Sequence, residues 1–93
     1  MKESIKDSQQ NVEEILSDSG NSNFLILHND DYHTFDEVID ALIDICEHEA
    51  EQAVQCTYLV HYKGKADVKK GGYNTLKPMK TKLVERGLKA TIE

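Results

Sequence analysis

The feature that most constrains this chain is the succession of an apolar run, Phe24-Leu25-Ile26-Leu27-His28, a polar cluster, Asn29-Asp30-Asp31-Tyr32, and the tetrad Thr34-Phe35-Asp36-Glu37. A short apolar run closed by polar residues reads as a buried strand that ends in a turn. Thr34 and Glu37 have the spacing of a capping box: the threonine hydroxyl accepts from the Glu37 amide while the glutamate carboxylate reaches back to the Thr34 amide. Asp36 and Glu37 also suit the positive end of a helix dipole. Phe35, Val38, Ile39, Leu42, Ile45 and Cys46 then recur at helical spacing and form one apolar face.

The helical period resumes after Glu49 through Ala50, Ala53, Val54, Thr57, Val60 and His61, with a change of phase at Glu47-His48 that places a break there, although neither Gly nor Pro marks it. Gly64 suits a helix C-cap. Lys65-Ala66-Asp67-Val68-Lys69 alternates as a half-buried strand does, and Gly71-Gly72 turns the chain. A third helix is expected after Asn74, with Pro78 tolerated in its first turn, Leu76, Met79, Leu83 and Val84 on its buried side, and Gly87 as its end. Leu88-Lys89-Ala90-Thr91-Ile92 alternates again as a closing strand. The expected fold is therefore α+β: a small open-faced sandwich in the order β-α-α-β-α-β, with a three-stranded antiparallel sheet and helices on one face.

Residues 1–23 differ from the rest. They are rich in Ser, Gln, Asn, Asp and Glu with few apolar residues, which predicts a flexible N-terminal tail ahead of one domain spanning 24–93. Ninety-three residues support one core. Seventeen acidic against eleven basic residues give a net charge of -6, which argues against a nucleic-acid partner. No apolar run approaches the roughly 20 residues of a membrane span, and Met-Lys-Glu-Ser does not open a secretory signal, so no membrane association and a cytoplasmic location are expected.

The chemistry-bearing residues admit several readings. Asn29-Asp30-Asp31 is either an ordinary turn or a cation trap in which carboxylate and amide oxygens converge on an ammonium group or a metal. His61 either interacts with a helix C-terminus or offers a neutral imidazole nitrogen to an ammonium proton. Cys46, His48, Cys56 and His61 are all potential metal ligands, but their spacings fit no familiar zinc motif and the two cysteines fall in apolar pattern, so no metal is expected. A hydrolase built on His61 and Asp30 or Asp31 lacks a nucleophile in a suitable turn.

Leu27-His28-Asn29-Asp30-Asp31-Tyr32-His33-Thr34-Phe35 resembles the strand, turn and helix start of the bacterial ClpS family, where the hallmark is Asn-Asp-Asp-Tyr-Thr-Pro-Met. Val60-His61-Tyr62-Lys63-Gly64-Lys65 resembles a second hallmark of that family, Val-His-Tyr-x-Gly-Lys, and Gly87 to Glu93 resembles its closing strand. The resemblance covers residues 24 to 93. It implies an adaptor, not an enzyme, that needs no cofactor. Such a protein binds the free α-amino group of an N-terminal degron, buries a first side chain of Leu, Phe, Tyr or Trp, and delivers the substrate protein to a Clp AAA+ unfoldase, ClpA or ClpC. By position it implies an amine-binding cluster of Asn29, Asp30, Asp31 and His61 and a hydrophobic pocket of Phe35, Val38, Thr57, Val60 and Leu88.

It also implies that the tail is engaged by the unfoldase pore. Lys77, Lys80 and Lys82 are candidates for docking. Phe35 and Thr57 stand where many family members have methionine, which predicts a pocket crowded by the Phe35 ring and relieved at Thr57, with an added hydroxyl. His33-Thr34 replaces Thr-Pro. The rival reading is a module that docks on the unfoldase without selecting N-termini.

Overall fold

The computed structural model describes residues 23–93. The tail expected over 1–23 lies outside the described residues except for Asn23, which already belongs to the first strand. β1 (Asn23–His28) is followed by α1 (Phe35–Cys46), α2 (Ala50–Lys63), β2 (Lys65–Gly71), α3 (Tyr73–Glu85) and β3 (Lys89–Ile92). β1 is the middle strand, and both β2 and β3 run antiparallel to it in the order β2-β1-β3. The expected open-faced α+β sandwich is the fold observed.

Leu25 and Leu27 sit on one face of β1 by strand alternation and pack with Ala66, Val68 and Ala90 of the flanking strands. The helices close over that face with Val38, Ala41, Leu42, Ile45, Cys46, Ala53, Val60, Leu76 and Leu83. Leu25, Leu27, Leu42, Leu76 and Leu83 are wholly buried, so one leucine layer joins the middle strand to α1 and α3.

The helix boundaries follow local chemistry. Thr34 Oγ1 accepts from the Glu37 amide at 3.1 Å and Glu37 Oε1 accepts from the Thr34 amide at 2.8 Å, so the capping box forms. The break between α1 and α2 falls at Glu47, which adopts a left-handed φ of 61° and donates its amide to the Leu42 carbonyl. Tertiary groups hold this end in place of Gly. Lys69 Nζ, from β2, donates to the Cys46 carbonyl at 3.0 Å. His48, 5% exposed, bonds the Val68 carbonyl through Nε2. Val68 is the residue skipped where the β1–β2 register shifts between Leu25 and Ile26, so the histidine is bonded at a bulge.

Several expectations require correction. α3 begins at Tyr73, ahead of Asn74, so Pro78 lies inside the helix and not in its first turn. Its ring is exposed and it has no amide to donate to the helix. Val84 is 48% exposed because α3 buries only the narrow stripe through Leu76 and Leu83. Ala50 is exposed, and Cys56 is half-buried where it was expected in the core.

Gly64 caps α2 with φ 92°, and no atom lies within 4 Å of the place its Cβ would occupy. A side chain there would meet backbone strain and no clash. Gly64→Ala is therefore expected to destabilise the domain by about 1–2 kcal/mol, read as a lower urea midpoint with unchanged slope.

Candidate functional site

The site is assembled by one backbone bond. The Asn29 amide, at the end of β1, donates to the carbonyl of Gly64 at 2.9 Å. Gly64 stands at the C-terminus of α2, so this bond sets the Asn29-Asp30-Asp31 turn beside the last turn of the helix that carries Val60 and His61. Val60 points into the core and His61 is exposed beside it.

Between the turn, the start of α1, the end of α2 and the lead into β3 lies a concavity. Eight of the nine expected residues line it: Asn29, Asp30, Phe35, Val38, Thr57, Val60, His61 and Leu88. Leu27, His28, His33 and Thr34 complete its wall. Asp31 lies outside the lining and is exposed next to Tyr32, which is 90% exposed. Val38, Val60 and Leu88 form an apolar floor, all less than a tenth exposed. The cavity itself is small, about 10 Å³, room for about one water molecule.

Phe35 is part of the wall of this narrow cavity. It is the first residue of α1 and half-buried, with its ring edge-on to Tyr58 at 4.8 Å and to His61 at 6.0 Å between centroids. Tyr58 in turn stacks on Tyr62 at 5.7 Å. The hydroxyl expected from Thr57 spends its proton on the Ala53 carbonyl one turn back at 2.7 Å, so Oγ1 is left only as an acceptor.

Asp30 has a different place from its neighbours. Its side chain is only 5% exposed, and both oxygens are engaged. Oδ1 accepts from the amides of Tyr32 at 2.8 Å and His33 at 2.9 Å, and Oδ2 faces the His33 ring Nδ1 at 2.9 Å. Burial pushes the Asp30 carboxyl up, but the His33 and Tyr32 amides and the His33 ring outweigh it, leaving it below its usual 3.8. The turn reading thus describes Asp30, while Asn29 lines the concavity and Asp31 is exposed outside it. His33 was not singled out by sequence reasoning. The signal for it was the Asp-x-x-His spacing across a turn, with the Asp30 side chain bonding its own backbone.

The cysteines do not form a reactive or metal-binding centre. Burial pushes the Cys46 thiol up to about 11, with Lys69 partly opposing, and burial likewise raises Cys56. His48 spends Nε2 on the Val68 carbonyl. Among the described residues no three His, Cys, Asp or Glu side chains are grouped to hold a metal ion, and no helix is long and apolar enough to cross a membrane.

An apolar concavity with hydrogen-bonding groups at its rim, on an open-faced α+β sandwich, defines a small binding domain. The family described as "ATP-dependent Clp protease adaptor protein ClpS" matches residues 19–91, and the chain belongs to the ClpS family. That family is one of adaptors, not enzymes. Among solved structures, the chain is similar to ClpS2 of Agrobacterium tumefaciens bound to L-phenylalaninamide. The two are 22% identical with a TM-score of 0.65, over 76% of this chain and 93% of that one, a likeness of fold.

The two thiols should differ in chemical access. At pH 8 a group titrating near 11 is thiolate in roughly one molecule in a thousand. A thiol reagent added to the folded chain is expected to label Cys56 first and to reach Cys46 at a useful rate only on unfolding, as peptide mapping of the labelled chain would check.

Proposed function

We propose that this chain is an N-degron adaptor, which binds the free α-amino group and large hydrophobic first side chain of a protein and delivers that protein to a Clp AAA+ unfoldase in the cytoplasm. The observation that carries this reading is the union, through the Asn29–Gly64 bond, of a polar rim and an apolar floor in one concavity. The ligand of the Agrobacterium protein adds support. L-phenylalaninamide has a free α-amine, a benzyl side chain and an amide, the chemistry of an N-terminal Phe in a longer chain.

In this reading the Asn29 side-chain oxygen, the Asp31 carboxylate and a neutral His61 nitrogen accept the ammonium protons. Asp30 completes the amine-binding cluster as a fixed negative charge that holds the turn. Val38, Val60, Leu88 and the Thr57 methyl receive the side chain, and Phe35 stands at the entrance. Burying one large apolar side chain contributes about 1.5–3 kcal/mol, and each hydrogen bond to the ammonium about 1.5–3 kcal/mol. After the costs of association, affinity in the micromolar range suits a carrier that must release its load. The unfoldase is ClpA or ClpC, and Lys77, Lys80 and Lys82 of α3 are the candidates for docking on it.

The cavity of about 10 Å³ favours the second reading, a docking module that does not select N-termini. Fluorescence anisotropy with peptides differing only at residue one separates the two. The adaptor reading expects free Phe, Leu, Tyr and Trp termini to bind, acetylated Phe to fail, and Asn29→Ala or His61→Ala to weaken binding about 10- to 100-fold. Failure of every free terminus would leave the docking module.

The identity of the preferred first residue is expected to depend on the two departures from methionine. Phe35→Met and Thr57→Met should reorder the ranking among Phe, Leu, Tyr and Trp in the same titrations. An unchanged order in both variants would remove those two positions from the pocket's selectivity.

A further inference from the structure

His33 stands between two groups that only accept hydrogen bonds. Its Nδ1 lies 2.9 Å from Asp30 Oδ2 and its Nε2 lies 3.0 Å from the Arg86 carbonyl oxygen. A neutral imidazole has one N–H and can serve only one acceptor, whereas an imidazolium serves both. Asp30 is held in its ionised form by the amides of its own turn, so it does not supply the missing proton. The ring is seated against the backbone of the α3–β3 connection. A Cβ at Gly87 would come within 3.3 Å of His33 Cε1 and 3.4 Å of Nε2, and Gly87 also has φ 87°. The backbone favours glycine there, and a side chain would also press on the ring.

We infer that His33, as an imidazolium, is a positioning residue: a strut that ties the Asp30 turn to the Arg86-Gly87 connection and so fixes the Leu88 wall of the pocket. Leu88 directly follows Gly87, is buried, and lines the concavity together with His33. His33 and Arg86 are 53 residues apart in the chain, and the His33 ring joins them. In its relation to binding, the strut rests on the adaptor reading proposed above. The charges that face the ring are Asp30 from the turn, Glu37 and Asp40 from α1, and Arg86 from the end of α3, whose guanidinium is paired with Asp44 at 3.0 Å.

The pH dependence has a fixed sign. The Asp30 hydrogen bond raises the His33 value above 6.5 against the opposing effect of burial, and the Arg86 carbonyl and the charges of Asp30 and Glu37 add to the rise. A group with a raised value stabilises the fold fully below its unfolded value of 6.5 and loses that contribution as pH climbs through its folded value. Asp30, lowered from 3.8, contributes above that value and loses its contribution as acid titrates it. The strut is therefore intact at weakly acid pH below 6.5 and weakens as pH climbs above 6.5 through the His33 folded value.

The experiment is an imidazole ¹⁵N titration of the full chain without ligand, followed together with the Leu88 methyl resonances and with melting temperature between pH 5.5 and 9. Both His33 nitrogens should carry protons at pH 6.5, with a midpoint above 6.5. The Leu88 methyls should shift with that same midpoint, and the melting temperature should step down through it. His33→Gln should abolish both the methyl shift and the melting step, and Asp30→Asn should lower the His33 midpoint. A His33 that is singly protonated at pH 6.5, or Leu88 methyls indifferent to its titration, would overturn the proposal. These readouts need no peptide, so they stand apart from the adaptor reading. If free termini do bind, His33→Gln should weaken them about tenfold at pH 7, and equal affinity in the variant would overturn the link between the strut and the pocket.

Discussion

The site depends on the hydrogen bond from the Asn29 amide to the Gly64 carbonyl. Gly64 can cap α2 in the left-handed region and send the chain straight into β2, the antiparallel neighbour of β1. Because β1 and β2 pair from His28–Lys65 onward, the end of β1 and the end of α2 are brought to the same corner of the sheet. Two segments far apart in sequence thus become adjacent through the sheet register. The concavity is a consequence of where the middle strand stops and where the helix beside it is capped.

That corner has an electrostatic bias as well as a shape. It receives the C-terminal end of α2, where the helix dipole presents about half a negative elementary charge. It also receives the N-terminus of α1, whose positive end is offset by Asp36 and Glu37 in its first turn. Asp30 and Asp31 add carboxylates between the two. An ammonium group suits this combination better than an anion does, because the carboxylates outweigh the one positive helix end. The -6 net charge of the chain acts in the same direction at longer range.

Local rules made much of the fold legible in advance. The capping box and the Gly64 stop depend on neighbours in sequence, and both were readable there. So was the break at Glu47-His48, from the phase of the apolar stripe alone. What held that break was not readable: Lys69 on the Cys46 carbonyl and His48 on a bulged strand are tertiary groups that let a glutamate take the left-handed position glycine usually fills. Val84 was misassigned because a periodic pattern does not say how wide a stripe its helix buries. Pro78 was misplaced by uncertainty in one helix start. In the site, eight of the nine residues that the family resemblance implied line the concavity, but the commitments of Asp30 and Thr57 were not legible. Each forms a bond with its own local backbone, and such bonds compete with the ligand for the same atoms.

The closed pocket and the adaptor reading meet at Phe35. On the proposed adaptor reading, admitting a large side chain would move the ring and give up edge contacts with Tyr58 and His61 worth about 0.5–1.5 kcal/mol each for an aromatic pair. The incoming side chain returns about 1.5–3 kcal/mol by burial. These amounts are similar, so filling the pocket supplies little net affinity while Phe35 must be displaced. On the proposed adaptor reading the rim would then decide the outcome, because a free terminus could make hydrogen bonds at Asn29, Asp31 and His61 that an internal or acetylated residue could not. A gate whose opening nearly cancels the gain of filling it makes recognition depend on the amine first and on the side chain second.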